Sequence, residues 1–232
     1  MTGTDHDPDR AGDPASPVCF LGEQSGAAPD AQDWPAVARW RRAERTRLRA
    51  ERLALSADGR RAKAEALARH LDSLLASRLG DPAGRVVSGF WPIKGELDLR
   101  PWMARLHGQG AELALPVVEA PGTPLAFRRW SPGMAMEHGH WNIPVPPSTS
   151  ERLTPDVCLA PLVGWDMQGY RLGYGGGYFD RTLAALSPRP FVIGVGLQSA
   201  RLDSIAPQPH DVPLSVVVTE AGIQVERDSR PG

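Results

Sequence analysis

Cysteine is almost missing from this chain. Only Cys19 and Cys158 occur in its 232 residues, too few and too far apart for a disulfide framework and without the paired spacing of a zinc site. The expected compartment is a reducing one, the cytoplasm. Long apolar runs are missing too. None approaches the roughly 18 residues that span a bilayer, and the first residues are acidic where a secretory leader would be basic and then apolar. Neither secretion nor membrane insertion is expected. An excess of one charge is the third absence, since 26 basic residues face 27 acidic ones. A balanced total gives no global field for nucleic acid, so any bound anion must be held by a local arrangement.

What is present fits one substantial core, with 41% hydrophobic and 23% charged residues. Residues 1–33 are rich in Asp, Pro, Gly, Ala and Ser and lack apolar periodicity. They are expected to be a disordered or loosely packed extension, with Val18, Cys19, Phe20 and Leu21 as incidental contacts at most. Residues 34–226 form the expected folded domain and 227–232 a tail. Residues 34–55 read as a helix that is strongly basic, carrying Arg39, Arg41, Arg42, Arg45, Arg47, Arg49 and Arg52. A second helix follows from Ser56, where Ala64, Leu67, Ala68, Leu71, Leu74 and Leu75 form one apolar stripe, and Gly80 and Pro82 end it.

Short apolar runs then alternate with helical patterns. Strands are expected at residues 85–90, 113–118, 125–130, 157–163, 191–197 and 214–219, with helices near 99–108 and 177–186. Strand, helix and strand in that order imply parallel pairing in an α/β sheet. Residues 131–147, rich in Pro and Gly, read as loop.

The most informative segment is RLGYGGGYFDR, residues 171–181, between a strand and a helix. Gly173, Gly175, Gly176 and Gly177 free the backbone to turn several amides toward one object. A phosphate fits, because the next helix would aim its positive end there and Arg171 could add a charged contact. A flexible turn at the sheet edge is the alternative. The run lacks the Lys-Ser/Thr ending of a P-loop and the first-strand context of a dinucleotide fold. Asp180 stands where a magnesium carboxylate could sit, or where an acidic side chain merely favours the helix dipole.

This segment, with PLVGWDMQGY before it, resembles the signature of the 5-formyltetrahydrofolate cyclo-ligases. FWPIKGELDLRPW (residues 90–102), HWNIPVP (140–146), HDVPLSVVVTE (210–220) and the basic helix extend the resemblance over residues 40–223, in the family's order. The resemblance implies a single three-layer α/β/α domain with a central, mainly parallel sheet. It implies ATP bound by Arg41, Arg45, Arg171, Leu172, Gly173, Tyr174, Gly175, Gly176, Gly177, Tyr178 and Phe179, with Arg171 and Asp180 catalytic. It implies Mg2+ on Asp180 and Asp211, and a folate bordered by Trp91, Glu96, Gly175, Gly177 and Tyr178. His140 and His210 are possible proton carriers, though loop histidines are more often structural. The chain departs from the family pattern at Arg41 (or Arg42, one register on), where lysine is common. It departs again at Glu44, Gly176, Phe179 and Ser215.

The implied reaction turns 5-formyltetrahydrofolate and ATP into 5,10-methenyltetrahydrofolate, ADP and phosphate, through phosphorylation of the formyl oxygen. Expected partners are the small-molecule folate and ATP, with no nucleic acid and no membrane. The alternatives are a paralogue acting on another formylated small molecule, and a non-catalytic folate- or nucleotide-binding protein.

Overall fold

The computed structural model describes residues 27–227. Most of the expected extension, with the contacts at residues 18–21, lies outside the described residues, as does the tail beyond 227. In chain order the elements are α1 (Trp34–Ala54), α2 (Ala57–Leu79), β1 (Val86–Ser88), α3 (Arg100–Gly108), β2 (Glu112–Val117) and β3 (Ala126–Trp130). After them come β4 (Glu137–His138), β5 (Pro144–Val145), β6 (Val157–Pro161), β7 (Gly164–Trp165), β8 (Arg171–Leu172) and α4 (Tyr178–Ala185). The chain closes with β9 (Phe191–Val195), β10 (Val216–Thr219) and β11 (Gly222–Glu226).

Both long helices start on a side-chain cap. Asp33 accepts from the Ala36 amide at 3.0 Å, and Ser56 from the Gly59 amide at 3.0 Å; each satisfies an amide that the helix leaves open. The apolar stripe of α2 is buried as its spacing implies, from Ala64 through Leu75. Each large side chain buried this fully stabilises the fold by roughly 1.5–3 kcal/mol. The inner face of α1 is different, for it buries Arg41, Glu44 and Arg52 among Val37 and Leu48.

Among the described residues, seven strands form the main sheet, in the order β11-β10-β9-β6-β1-β2-β3. Neighbours from β10 through β2 are parallel, and only the edge strands β3 and β11 are antiparallel. From β1 the chain crosses through α3 to β2 on one side, and later lays β6 on the other side of β1. The order therefore reverses at β1, and a crevice opens beyond the carboxyl ends of β1 and β6, where open α/β sheets bind ligands.

Parallel crossovers are right-handed, so steps in opposite directions place their helices on opposite faces. On one face α2 lies over β10 and β11, with α3 tied to it by Trp102 Nε1 donating to Asp72 at 2.6 Å. On the other face Phe179 of α4 packs on Ala114, Phe127 and Cys158. The three-layer reading holds, with one layer much thinner than the other. Residues 131–147 are less loop-like than their composition implies, because β4 and β5 pair there. Strand β11 and the β7–β8 hairpin are also additional to the expected set.

Cys158 is fully buried on the thin face, and burial pushes its thiol up to about 12. A Cys19→Ser chain should resist a disulfide-exchange reagent at about pH 8, where an ordinary thiol of pKa about 8.5 reacts. It should take up one equivalent only after unfolding in urea. Stoichiometric labelling of the native chain would contradict this packing.

Candidate active site

The site is built on α1. Arg41, Arg45, Arg49 and Arg52 recur at four- and three-residue spacing and share one helix face. Arg41 donates to the carbonyls of Ile205 and Ala206, each at 3.0 Å, and pairs with Asp211. Arg45 Nε donates to the Gly173 carbonyl at 2.7 Å. The Arg49 guanidinium lies 6.0 Å from the centre of the Tyr174 ring. Arg52 donates to the Lys94 carbonyl at 3.1 Å and to the Tyr174 hydroxyl. Of the two candidates for the helix's first nucleotide contact, Arg41 lines the cleft and Arg42 is exposed. Glu44 is buried but has its own counter-ion, Arg47, at 2.6 Å.

A second ion pair faces the first. Arg171, at the start of β8, donates to Asp180 at 2.7 Å and to the Val212 carbonyl at 2.8 Å, while the Val212 amide donates to Asp180 at 3.1 Å. Burial draws the Arg171 pKa down, and Asp180 and Asp211 oppose that pull. Burial also lowers the Arg45 pKa, with Arg41 adding repulsion. The turn before β8 is anchored by Asp166, which accepts from the amides of Gln168, Tyr170 and Ile205, each at 3.0 Å. That single carboxylate joins the approach to the glycine run with the loop that carries Asp211.

The glycine run uses the freedom it has. Gly175 sits at φ 98°, and Gly177, the N-cap of α4, at φ 63° in left-handed backbone, conformations that are costly for residues with a Cβ. Arg181 donates to the Gly176 carbonyl and braces the loop from within α4.

The other end of the cleft is apolar, with Phe90, Trp91, Leu115 and Ile143 in its wall. Arg100 lies over the Trp91 ring at 4.6 Å. Glu96 is buried here; it accepts from the Ile93 amide at 2.9 Å and from Tyr174 Oη at 2.8 Å. Burial raises its pKa, against the pull of those hydrogen bonds and of Arg52. Trp141 stands at the mouth, 54% exposed, with φ 55° and ψ 26°. A bulky residue in that region is strained, and such strain gathers at functional sites.

These parts enclose one cleft of about 220 Å³. Every residue expected from the sequence lines it, with one exception. Leu172 turns its side chain into the core and is 1% exposed, because alternation along β8 leaves one neighbour facing in as Arg171 faces the cleft. His140 and His210 also border the cleft. Arg49 and Arg52, read from the sequence only as part of the basic helix, do not line the cleft but stand against Tyr174, further along the helix than Arg45. A larger groove, about 400 Å³, runs between α2 and α3 past Arg60, Asp98 and Arg105, but among the described residues no glycine-rich run faces it.

The family model for the 5-formyltetrahydrofolate cyclo-ligases matches residues 37–220. The chain belongs to the 5-formyltetrahydrofolate cyclo-ligase family. Among curated relatives, the cyclo-ligase of Mycolicibacterium smegmatis is 34% identical over 182 residues, covering 75% of this chain and 91% of that protein. That of Haemophilus influenzae is 28% identical over 177 residues, with 73% and 92% covered. The NMR structure of the Aquifex aeolicus 5,10-methenyltetrahydrofolate synthetase superposes with a TM-score of 0.66 at 30% identity, over 83% of this chain and 95% of that one. The family's sheet and crevice are thus the frame on which this chain's arginines and carboxylates sit.

Asp211 is the counter-ion of a nearly buried guanidinium, with side-chain exposures of 8% and 10%. Asp211→Ala should cost about 3–5 kcal/mol in urea unfolding, since it strands a buried charge. A loss below about 1 kcal/mol would show that the two carbonyls on Arg41 suffice.

Proposed function

We propose that the chain closes 5-formyltetrahydrofolate to 5,10-methenyltetrahydrofolate, with ATP as phosphoryl donor. One observation carries this reading: a single cleft is lined by a glycine-rich turn with Arg45 and Arg171 at one end and by an apolar wall with a buried carboxylate at the other. A reaction between a nucleotide and a flat, partly apolar substrate needs that arrangement.

The chemical difficulty is the formyl group, an amide whose oxygen is a very poor leaving group. Phosphorylation of that oxygen releases ADP and makes the oxygen part of a leaving phosphate. The second folate nitrogen then attacks the formyl carbon and loses its proton to solvent or to the leaving phosphate, the ring closes, and phosphate departs with the oxygen. The protein's part is alignment and charge neutralisation. The glycine-run amides at 173–177 and the start of α4 would hold the phosphates, with Arg45 and Arg171 beside them. Trp91 would pack on the pterin, and Glu96 would accept its ring hydrogens.

Magnesium fits this donor set in a particular way. Among the described residues no cluster of three or more His, Cys, Asp or Glu could hold a metal alone. Asp180 and Asp211 both border the cleft near Val212, and one or two carboxylates with substrate phosphates are a usual magnesium set. Magnesium bound there would neutralise charge on the transferred phosphoryl group. Each aspartate would then share its oxygens between the ion and its arginine.

The test is near-ultraviolet absorbance of the conjugated product while purified chain meets 5-formyltetrahydrofolate, ATP and magnesium, each also omitted in turn. A rise that needs all three is expected. Asp180→Asn, which keeps an oxygen for Arg171 and Val212, should slow it about a hundredfold or more. ATP binding without product would favour a paralogue with another formylated substrate; binding of both ligands without ADP release would favour a binding protein.

A further inference from the structure

Tyr174 is the only residue between Gly173 and Gly177 that carries a side chain, and that side chain leaves the loop. Its hydroxyl donates to Glu96 at 2.8 Å, at the apolar end of the cleft, and accepts from Arg52 at 2.5 Å. Arg52 in turn holds the Lys94 carbonyl at 3.1 Å. Lys94 and Gly95 both have positive φ, 49° and 79°, in a turn closed by the Glu96 amide donating to Ile93 at 3.0 Å. Around the Tyr174 ring stand Lys94 at 5.4 Å, Arg52 at 5.8 Å and Arg49 at 6.0 Å, cations attracted to an aromatic face. One ring is thus flanked by three cations, and its residue joins the glycine run to Glu96.

We propose that Tyr174 is a positioning residue that couples the two ends, so that filling the glycine-rich loop orients Glu96, and engaging Glu96 orders the loop. The proposal rests on the reading of the cleft given above. Its physical basis is the steepness of a hydrogen bond with distance. A loop displacement of about 1 Å carries a 2.8 Å contact beyond hydrogen-bond range. A phosphate gripped by the loop amides would hold Tyr174 in place, and Glu96 would meet its ligand already oriented. Thermodynamic linkage makes the effect reciprocal.

The experiment is calorimetric titration of 5-formyltetrahydrofolate into the full chain, with and without saturating magnesium and a non-hydrolysable ATP analogue. The nucleotide should tighten folate binding about 5- to 20-fold in the unaltered chain. In Tyr174→Phe, which keeps the ring and removes only the hydroxyl, this ratio should fall toward one. Arg52→Gln, which weakens the same contact from the other side, should lower it as well. The ratio is the informative quantity, because general loosening of the loop weakens folate binding in both titrations alike. An unaltered ratio in Tyr174→Phe, or a ratio of one in the unaltered chain, would overturn the coupling while leaving the cyclo-ligase reading in place. Failure of the unaltered chain to bind either ligand would overturn both.

Discussion

The fold of the candidate cleft depends on one constraint, the burial of arginines on the inner face of α1. A guanidinium does not lose its proton at any ordinary pH, so it cannot become neutral when it leaves water. It must find carbonyls or carboxylates, or the helix cannot pack. Arg41 finds residues 205, 206 and 211, Arg45 finds Gly173, and Arg52 finds Lys94 and Tyr174. Three loops far apart in sequence are gathered against one helix in this way. An apolar stripe like that of α2 would have packed as well but would have positioned none of them.

That arrangement also gives the cleft the two kinds of lining on which the proposed function rests. The sheet reversal at β1 supplies an opening, and the carboxyl ends of β1 and β6 supply apolar walls such as Phe90 and Pro161. The arginines supply positive charge that is only partly used by backbone carbonyls. Arg45 donates Nε to Gly173 and lines the cleft. The carboxylates of Asp180 and Asp211 keep the net charge low, which lets the cationic cluster persist without a bound anion.

Much of this was legible in the sequence because it is local. The spacing from Ala64 to Leu75, the helix start at Ser56 and the alternation of strand and helix patterns gave the layers. The glycine run, placed between a strand and a helix, gave one end of the cleft. What the sequence hid is of three kinds. Two-residue strands such as β4 and β5 carry too few side chains for a period to show, and Pro and Gly around them read as loop. Non-local bonds left no pattern at all: Tyr174 meets Glu96 across 78 residues and Arg52 across 122. The turn of Leu172 into the core follows from alternation within β8, which a motif read as one contiguous stretch obscures.

The claim that joins these points is that one cleft takes a nucleotide at its glycine-rich end and a folate at its Trp91–Glu96 end. Amide hydrogen exchange resolved by mass spectrometry tests it directly, on the full chain with a magnesium–ATP analogue, with 5-formyltetrahydrofolate, and with both. The account predicts that the nucleotide protects residues 171–180 and 205–212, and that the folate protects residues 90–97 and 140–145. Protection confined to the groove between α2 and α3, or to neither end of the cleft, would contradict it.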